Sequence, residues 1–189
     1  MATTLDEIAQ MLEHYGLRYF RGDDNTLLAA FGGLEHYRDD EGNPHLRVVI
    51  QLSEQGRYLS IFAPAAYTVP VDEAGPFLQA CAMVQWRTKL IQYEYDARDG
   101  EVRPVVEFPL EDAPLTLAQF ARCLTGLVRL VDEYDPVLRR ALETGEVAFN
   151  DEEQAVTMLS RLLSGFPPEI LAEALRRADE RRRLSNGQG

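Results

Sequence analysis

The sequence predicts an α+β domain in which an antiparallel sheet packs against one long helix, with a helical C-terminal tail. Three observations predict this class. Apolar residues occupy every second position from Leu46 to Leu52, which is typical of a strand with one buried face. Asp99-Gly100 is a strong hairpin signal between two further strand-like segments. After Ala113-Pro114, apolar residues recur at helical spacing, at Leu117, Phe120, Ala121, Leu124, Val128, Val131 and Leu138.

The N-terminal part of the chain predicts one helix followed by four strands. Thr4 can cap the helix, because Asp and Glu fill its first turn, and Gly16 can end it. The polar stretch 33–44 has the composition of a surface loop. The four strands are expected at 17–22, 26–32, 46–53 and 57–63.

The middle of the chain predicts a second helix, a hairpin and the long helix. The second helix is expected from about Pro76 to Arg87. Pro104 cannot donate to a ladder, so its strand, 101–108, should lie at an edge of the sheet or carry a bulge. Asp135-Pro136 has the form of an N-cap followed by a first-turn proline, which favours a break or kink in the long helix at this point.

The last part of the chain is predicted to be a helical extension. The sequence divides into a main domain at 1–145 and an extension at 146–189. Asn150-Asp-Glu-Glu is similar to a capping box, and two apolar stripes follow on either side of Phe166-Pro-Pro. Each stripe needs a partner surface.

Composition excludes several classes of protein. The formal charge is −12, from 31 acidic and 19 basic residues, which argues against a general nucleic-acid binder. The N-terminus lacks the basic and apolar regions of a signal peptide, so we expect a cytoplasmic protein. The two cysteines, Cys81 and Cys123, lie in apolar helical patterns and are expected to be buried thiols.

No motif predicts catalysis, a cofactor or a metal. The three histidines, His14, His36 and His45, do not have the spacing of a metal pair, and no cysteine is close to any of them in sequence. A Gly-x-Ser-x-Gly elbow and a Gly-Lys-Ser/Thr phosphate loop are both missing. We therefore expect a protein that is not an enzyme and has no cofactor.

The most distinctive local feature is an aromatic and basic cluster after the second helix. Trp86, Arg87 and Lys89 form the candidate partner-binding surface, because tryptophan, tyrosine and arginine are enriched at binding hot spots. The alternative is that Trp86 fills the end of the sheet. For Tyr93 and Tyr95, packing beneath the long helix is the favoured interpretation.

Several short motifs carry a resemblance to a known family: Trp86-Arg-Thr-Lys, the hairpin 93–102, Phe108-Pro-Leu-Glu-Asp and the helix 120–134. With the order helix, antiparallel strands, helix, two strands and long helix, the chain resembles the YbjN-like family of bacterial sensory-transduction regulators. The resemblance covers roughly residues 3–145 and implies a type III secretion chaperone-like fold. The chain departs from that fold by having four strands, rather than three, before the middle helix, and by the extension.

The resemblance implies a protein-binding role, since secretion chaperones are acidic dimers that hold an extended segment of a partner. We expect a non-catalytic protein-binding module of chaperone-like or regulatory character. The alternative is a small-molecule or nucleotide-responsive sensor that uses the same sheet. A homodimer is favoured, because a helix from Leu115 to Gly145 spans about 45 Å and its stripe needs cover. That cover would come from a second subunit or from the extension.

Overall fold

A computed structural model of the chain describes residues 3–23, 25–111 and 113–149, together with Arg176. It confirms the α+β class. The described part contains, in chain order, α1 (Leu5–His14), β1 (Tyr19–Arg21), β2 (Thr26–Gly32), β3 (His45–Ser53), a 3₁₀ turn (Glu54–Gly56), β4 (Tyr58–Phe62), β5 (Tyr67–Thr68), α2 (Ala74–Arg87), β6 (Gln92–Asp96), β7 (Glu101–Pro109) and α3 (Leu117–Thr144).

The strands form one antiparallel sheet in the order β1-β2-β3-β4-β7-β5, with β6 also paired to β7. Both β5 and β6 pair with the first two residues of β7, so they lie on opposite sides of it. The register aligns the buried side chains of four strands in a row: Leu27, Ile50, Ile61 and Val106. This row forms the inner face of the sheet.

Local capping signals define the two helices at the ends of the domain. In α1, Thr4 and Glu7 form a capping box, and Gly16 beyond its end has a positive φ of 67°. In α3, Thr116 and Gln119 form a second capping box, and Gly145 is a left-handed C-cap. These ends agree with those that the sequence predicts.

Helices α2 and α3 pack against each other and cover the inner face of the sheet. Helix α3 contacts β4 and β7, and α2 contacts β6. Phe120, Leu127 and Leu138 of α3 are completely buried, as are Phe77 and Val84 of α2. The apolar stripe of α3 is therefore the centre of the hydrophobic core. Of its predicted members, Phe120, Leu124, Val131 and Leu138 are buried, whereas Leu117, Ala121 and Val128 are only half-buried.

The predicted hairpin forms, with a four-residue connection between β6 and β7. Asp96 pairs with Glu101, and the N–H of Gly100 donates to the carbonyl of Asp96. Gly100 has a φ of +80°, and a Cβ there would lie 2.6 Å from the carbonyl oxygen of Val69. Only glycine meets both conditions without strain.

The prediction that Pro104 places its strand at a sheet edge is wrong. Strand β7 has β4 and β5 on one side and β6 on the other. The carbonyl of Pro104 accepts from Ala63, so its nitrogen faces the same side, where β4 has ended and β5 has not begun. Because the ladder is broken at this point, the strand needs no bulge at Pro104, and the N–H group that proline lacks is not required.

The predicted break at Asp135-Pro136 does not occur, and α3 runs through Pro136. A proline inside a helix costs about 3 kcal/mol. Four apolar side chains that bracket it are buried: Tyr134, Val137, Leu138 and Ala141. Because burying one large apolar side chain contributes about 1.5–3 kcal/mol, continuing the stripe outweighs the proline.

Two further details differ from the sequence-based expectation. Strand β5 was not predicted, so five strands rather than four precede α2. The loop 33–44 was predicted to lie on the surface by composition, but it buries Tyr37. The Asp132 carboxylate of α3 accepts the N–H groups of Glu35, His36 and Tyr37 and so fastens this loop to the helix.

Apart from Arg176, the two predicted helices of the extension lie outside the described residues. The chain divides into two units, of which the first is Met1–Ala148. The predicted boundary at 145 stays a prediction. Among the residues that the structure describes, no helix is long and apolar enough to cross a membrane.

Candidate protein-interaction surfaces

The three residues predicted to bind a partner lie at the C-terminal end of α2. Helix α2 buries one face, which includes Phe77, Ala80, Cys81 and Val84. Trp86 lies on the opposite face and is 91% exposed. We call Trp86, Arg87 and Lys89 the helix-end surface; all three side chains are exposed. The alternative that Trp86 fills the end of the sheet is therefore wrong.

Tyr93 and Tyr95 are not part of the helix-end surface. They follow on β6, and the register places them opposite Pro104 and Val102, on the inner face of the sheet. Their hydroxyl groups are buried and have no hydrogen-bond partner in the described part of the chain. Burial also raises the pKa of Tyr93 well above its ordinary value. Both tyrosines therefore pack on the inner face of the sheet. Tyr93 lies near Tyr134 and Asp135 of the long helix; for Tyr95, packing beneath that helix stays a prediction.

A buried carboxyl group lies between α3 and β5. Asp135 is 4% exposed and accepts a hydrogen bond of 3.1 Å from the Tyr67 hydroxyl. Arg139 Nε lies 3.4 Å from the same carboxylate oxygen. Burial raises the pKa of Asp135 above its ordinary value, although Arg139 and the Tyr67 hydroxyl offset part of the effect. This group fastens α3 to the sheet and lies away from solvent.

A row of apolar side chains crosses the outer face of the sheet, and the sequence analysis did not predict it. One position from each of five neighbouring strands is in register along this row. We call it the outer-sheet row, and its members are Phe20, Leu28, Val49, Phe62 and Val105. At a strand spacing of about 4.8 Å it spans about 19 Å.

The outer-sheet row is most open at its β1 end. Phe20 is 79% exposed and Leu28 is 41% exposed, whereas Val105 at the other end is buried. The guanidinium of Arg103 lies 4.9 Å from the centre of the Phe62 ring and is paired with Glu94. The outer-sheet row is therefore apolar and exposed at its β1 end, and covered, with charged side chains beside it, at its β7 end.

A local signal for the outer-sheet row is present in the sequence. A half-buried strand alternates apolar and polar residues, but Leu27-Leu28 and Val48-Val49 are adjacent apolar pairs, so both faces are apolar there. What the sequence could not show is that Leu28 pairs with Val49 and Phe20, which depends on register. The row is therefore a product of strand pairing.

The groups that could have supported chemistry are buried or scattered. Cys81 and Cys123 are free and buried, as predicted, and burial raises the pKa of Cys81 to about 12. At neutral pH such a thiol is protonated and a poor nucleophile. Within the described ranges, no three histidine, cysteine, aspartate or glutamate side chains are grouped to hold a metal ion.

Comparison with solved structures identifies the fold. The chain is similar to the crystal structure of YbjN from E. coli, with a TM-score of 0.50 and 15% sequence identity over 70% of this chain and 91% of that one. The fold is YbjN-like. The YbjN-like fold implied by the sequence resemblance, with an antiparallel sheet packed against a long helix, is therefore confirmed.

Two type III secretion structures are also similar to the chain. A chain of the ExsC–ExsE complex matches with a TM-score of 0.47 and 19% identity over 73% of this chain and 97% of that one. A chain of the ExoU–SpcU complex from Pseudomonas aeruginosa matches with a TM-score of 0.45 and 18% identity over 72% and 98%. No protein-family model matches the sequence, and no curated protein matches it.

Proposed function

We propose that the chain is a cytoplasmic, non-catalytic protein-binding module of chaperone-like or regulatory character. The observation that carries this proposal is the outer-sheet row, whose open end exposes Phe20 and Leu28 side by side. An antiparallel sheet usually presents polar side chains on its solvent face. A contiguous apolar row in that position is the kind of surface that a partner covers.

The dimensions of the outer-sheet row suit a short segment of a partner. A helix of roughly 13 residues is about 19 Å long, which equals the width of the row. Complete burial of one large apolar side chain such as Phe20 contributes about 1.5–3 kcal/mol before the costs of association. The polar row beside it, Thr26, Gln51, Ser60 and Glu107, would border the contact.

The chemistry of the described residues supports a non-catalytic role. The two thiols are buried, and the Asp135 carboxyl lies inside the core with Tyr67 and Arg139 as its partners. These groups stabilise the packing of α3 on the sheet. None of them faces the outer-sheet row, because Tyr67 and α3 lie on the inner face.

The test is affinity capture from the native host with the full chain, two row variants and one control variant. Phe20→Ser and Leu28→Ser remove the exposed end of the row and leave the inner face intact. Val71→Ser is the matched control, because Val71 is 63% exposed and lies outside the sheet. We expect a partner protein that is retained by the wild type and by Val71→Ser and lost from both row variants.

Two outcomes contradict the proposal. A partner retained equally by all variants would move binding to another surface, and the absence of any enriched protein would argue against a protein-binding role. The sensor alternative makes a different prediction, namely a ligand-dependent rise in melting temperature of the isolated chain. Screening small molecules and nucleotides against the same four proteins distinguishes these two functions.

The homodimer stays a prediction. The stripe of α3 is buried from Phe120 to Ala141, so its length alone no longer requires a second subunit. A second copy would instead have to use a face that is exposed in the described part, such as the outer-sheet row or the solvent face of α2.

A further inference from the structure

The solvent face of α2 carries an apolar strip that ends at Trp86. Met83 and Trp86 are three residues apart, so they lie along one side of the helix. Met83 is 37% exposed and Trp86 is 91% exposed. Exposure of a tryptophan ring to water is unfavourable. A binding partner that covers the ring would therefore gain free energy from its burial.

Basic residues of α3 lie beside the end of this strip. Leu90, just after α2, packs on Gly126 of α3, where a Cβ would lie 2.4 Å from the Leu90 Cδ2 atom. Arg122 and Arg129 are four residues before and three residues after Gly126, so they lie on the same side of α3 within about one turn of it. Lys89 is adjacent to Leu90. We call Trp86, Arg87, Lys89, Arg122 and Arg129 the basic surface.

The two segments that form the basic surface contain no acidic residue. Neither 74–93 nor 113–131 includes an aspartate or a glutamate, although the chain has 31 of them in 189 residues. The first acidic residues to follow on α3 are Asp132 and Glu133, and Glu133 pairs with Arg129 at 3.4 Å. Lys89 and Arg122 make no ion pair within the described ranges. The surface is thus positive on a chain whose net charge is −12.

We propose that the basic surface binds an acidic segment of a partner protein, with an apolar side chain of that segment packed against Trp86. This inference rests on the proposed protein-binding function and names the partner chemistry for the helix-end surface. The acidic remainder of the chain repels such a segment and steers it to this face. The aromatic ring supplies the apolar contact that fixes its position.

Trp86 makes the test direct, because it is the only tryptophan of the chain and its fluorescence reports on this surface alone. The probe is a synthetic peptide of glutamates interrupted by leucines, titrated into the full chain. Binding is expected to shift the Trp86 emission to shorter wavelength as the ring leaves water. High salt should weaken the interaction, because charge attraction between exposed groups is screened.

Charge-reversal variants locate the binding site. Lys89→Glu combined with Arg122→Glu is expected to weaken peptide binding by about tenfold or more, since like charges would then face each other. Arg47→Glu is the matched control, an exposed arginine on β3 of the outer sheet face. Trp86→Ala, followed by the anisotropy of a labelled peptide, should also weaken binding, by roughly tenfold.

Several results would overturn this inference. The first is that the acidic peptide does not bind. The second is that the same peptide with lysine in place of glutamate binds equally well. The third is that only Arg47→Glu loses binding. Tighter binding of a single-stranded DNA oligonucleotide would assign the surface to nucleic acid. A Trp86 shift that depends on protein concentration alone would assign it to a second copy of the chain.

The two proposals fail separately. Phe20→Ser leaves the basic surface unchanged, so acidic-peptide binding should persist in that variant. If the row variants keep their partner while the peptide still binds, the outer-sheet row is refuted and the basic surface stands. If the peptide does not bind while the row variants lose their partner, the reverse holds.

Discussion

Truncation of Leu124 to alanine tests the packing on which the whole domain depends. Leu124 is 1% exposed in α3 and shares the buried stripe with Phe120 and Leu127. The change removes three carbon atoms, and at about 0.8 kcal/mol each their transfer to water accounts for about 2.4 kcal/mol. The cavity that remains adds to this, so Leu124→Ala should lower the free energy of unfolding by about 2–5 kcal/mol.

The assay is urea and thermal unfolding followed by circular dichroism. For a chain of this length, a loss of 2–5 kcal/mol lowers the melting temperature by roughly 4–20 °C. Leu28→Ala is the matched control, because it makes the same chemical change at a side chain that is 41% exposed. Its cost should stay below about 1 kcal/mol. Equal unfolding midpoints for Leu124→Ala and the wild type would show that α3 does not pack on the sheet as described.

Two more predictions concern Asp135 and the oligomeric state. Because burial raises the pKa of Asp135 above its ordinary 3.8, the folded state binds this proton more tightly than the unfolded state. The resulting stabilisation is complete below the ordinary pKa and is lost as the pH rises through the folded pKa. The stability of the wild type relative to Asp135→Asn should therefore fall from pH 4 toward neutrality, and urea midpoints with a constant difference over that range would contradict this reasoning. For the homodimer, light scattering of the full chain and of residues 1–145 should each give about twice the mass of one chain. One full chain has a mass of 21.4 kDa. A monomeric full chain would refute the homodimer.

Where a structural feature depends on neighbours in the chain, the sequence was sufficient to predict it. Thr4 and Gly16 bound α1, and Gly100 completes the hairpin, because caps and turns involve residues only a few positions apart. The alternation from Leu46 to Leu52 gave the correct buried face of β3, since strand geometry alternates side chains whatever the partner strand is. For the same reason the helical stripe around Leu124 identified the core.

The errors came from residues whose local preference was overruled by contacts far along the chain. Pro104 lies in an interior strand because the ladder beside it is broken between β4 and β5, and Pro136 lies inside α3 because the surrounding stripe is buried. At Pro104 the missing donor has no consequence, and at Pro136 burial of the stripe outweighs the cost of the proline. The sequence alone does not show whether contacts far along the chain outweigh the local preference of a proline.

The same distinction between local and long-range contacts applies to the candidate surfaces. The sequence by itself placed Trp86, Arg87 and Lys89 together, since they are near neighbours in the chain, but it left open whether Trp86 is packed or exposed. The structure decided this, because it places Trp86 opposite the buried face of α2. Only the tertiary structure brought Phe20, Leu28 and Phe62 into one row, and only helix packing placed Leu90, the neighbour of Lys89, on Gly126 of α3. Strand register and helix contacts depend on side chains that are tens of residues apart. The free energies of these contacts depend on the whole fold, so no local sequence pattern predicts them.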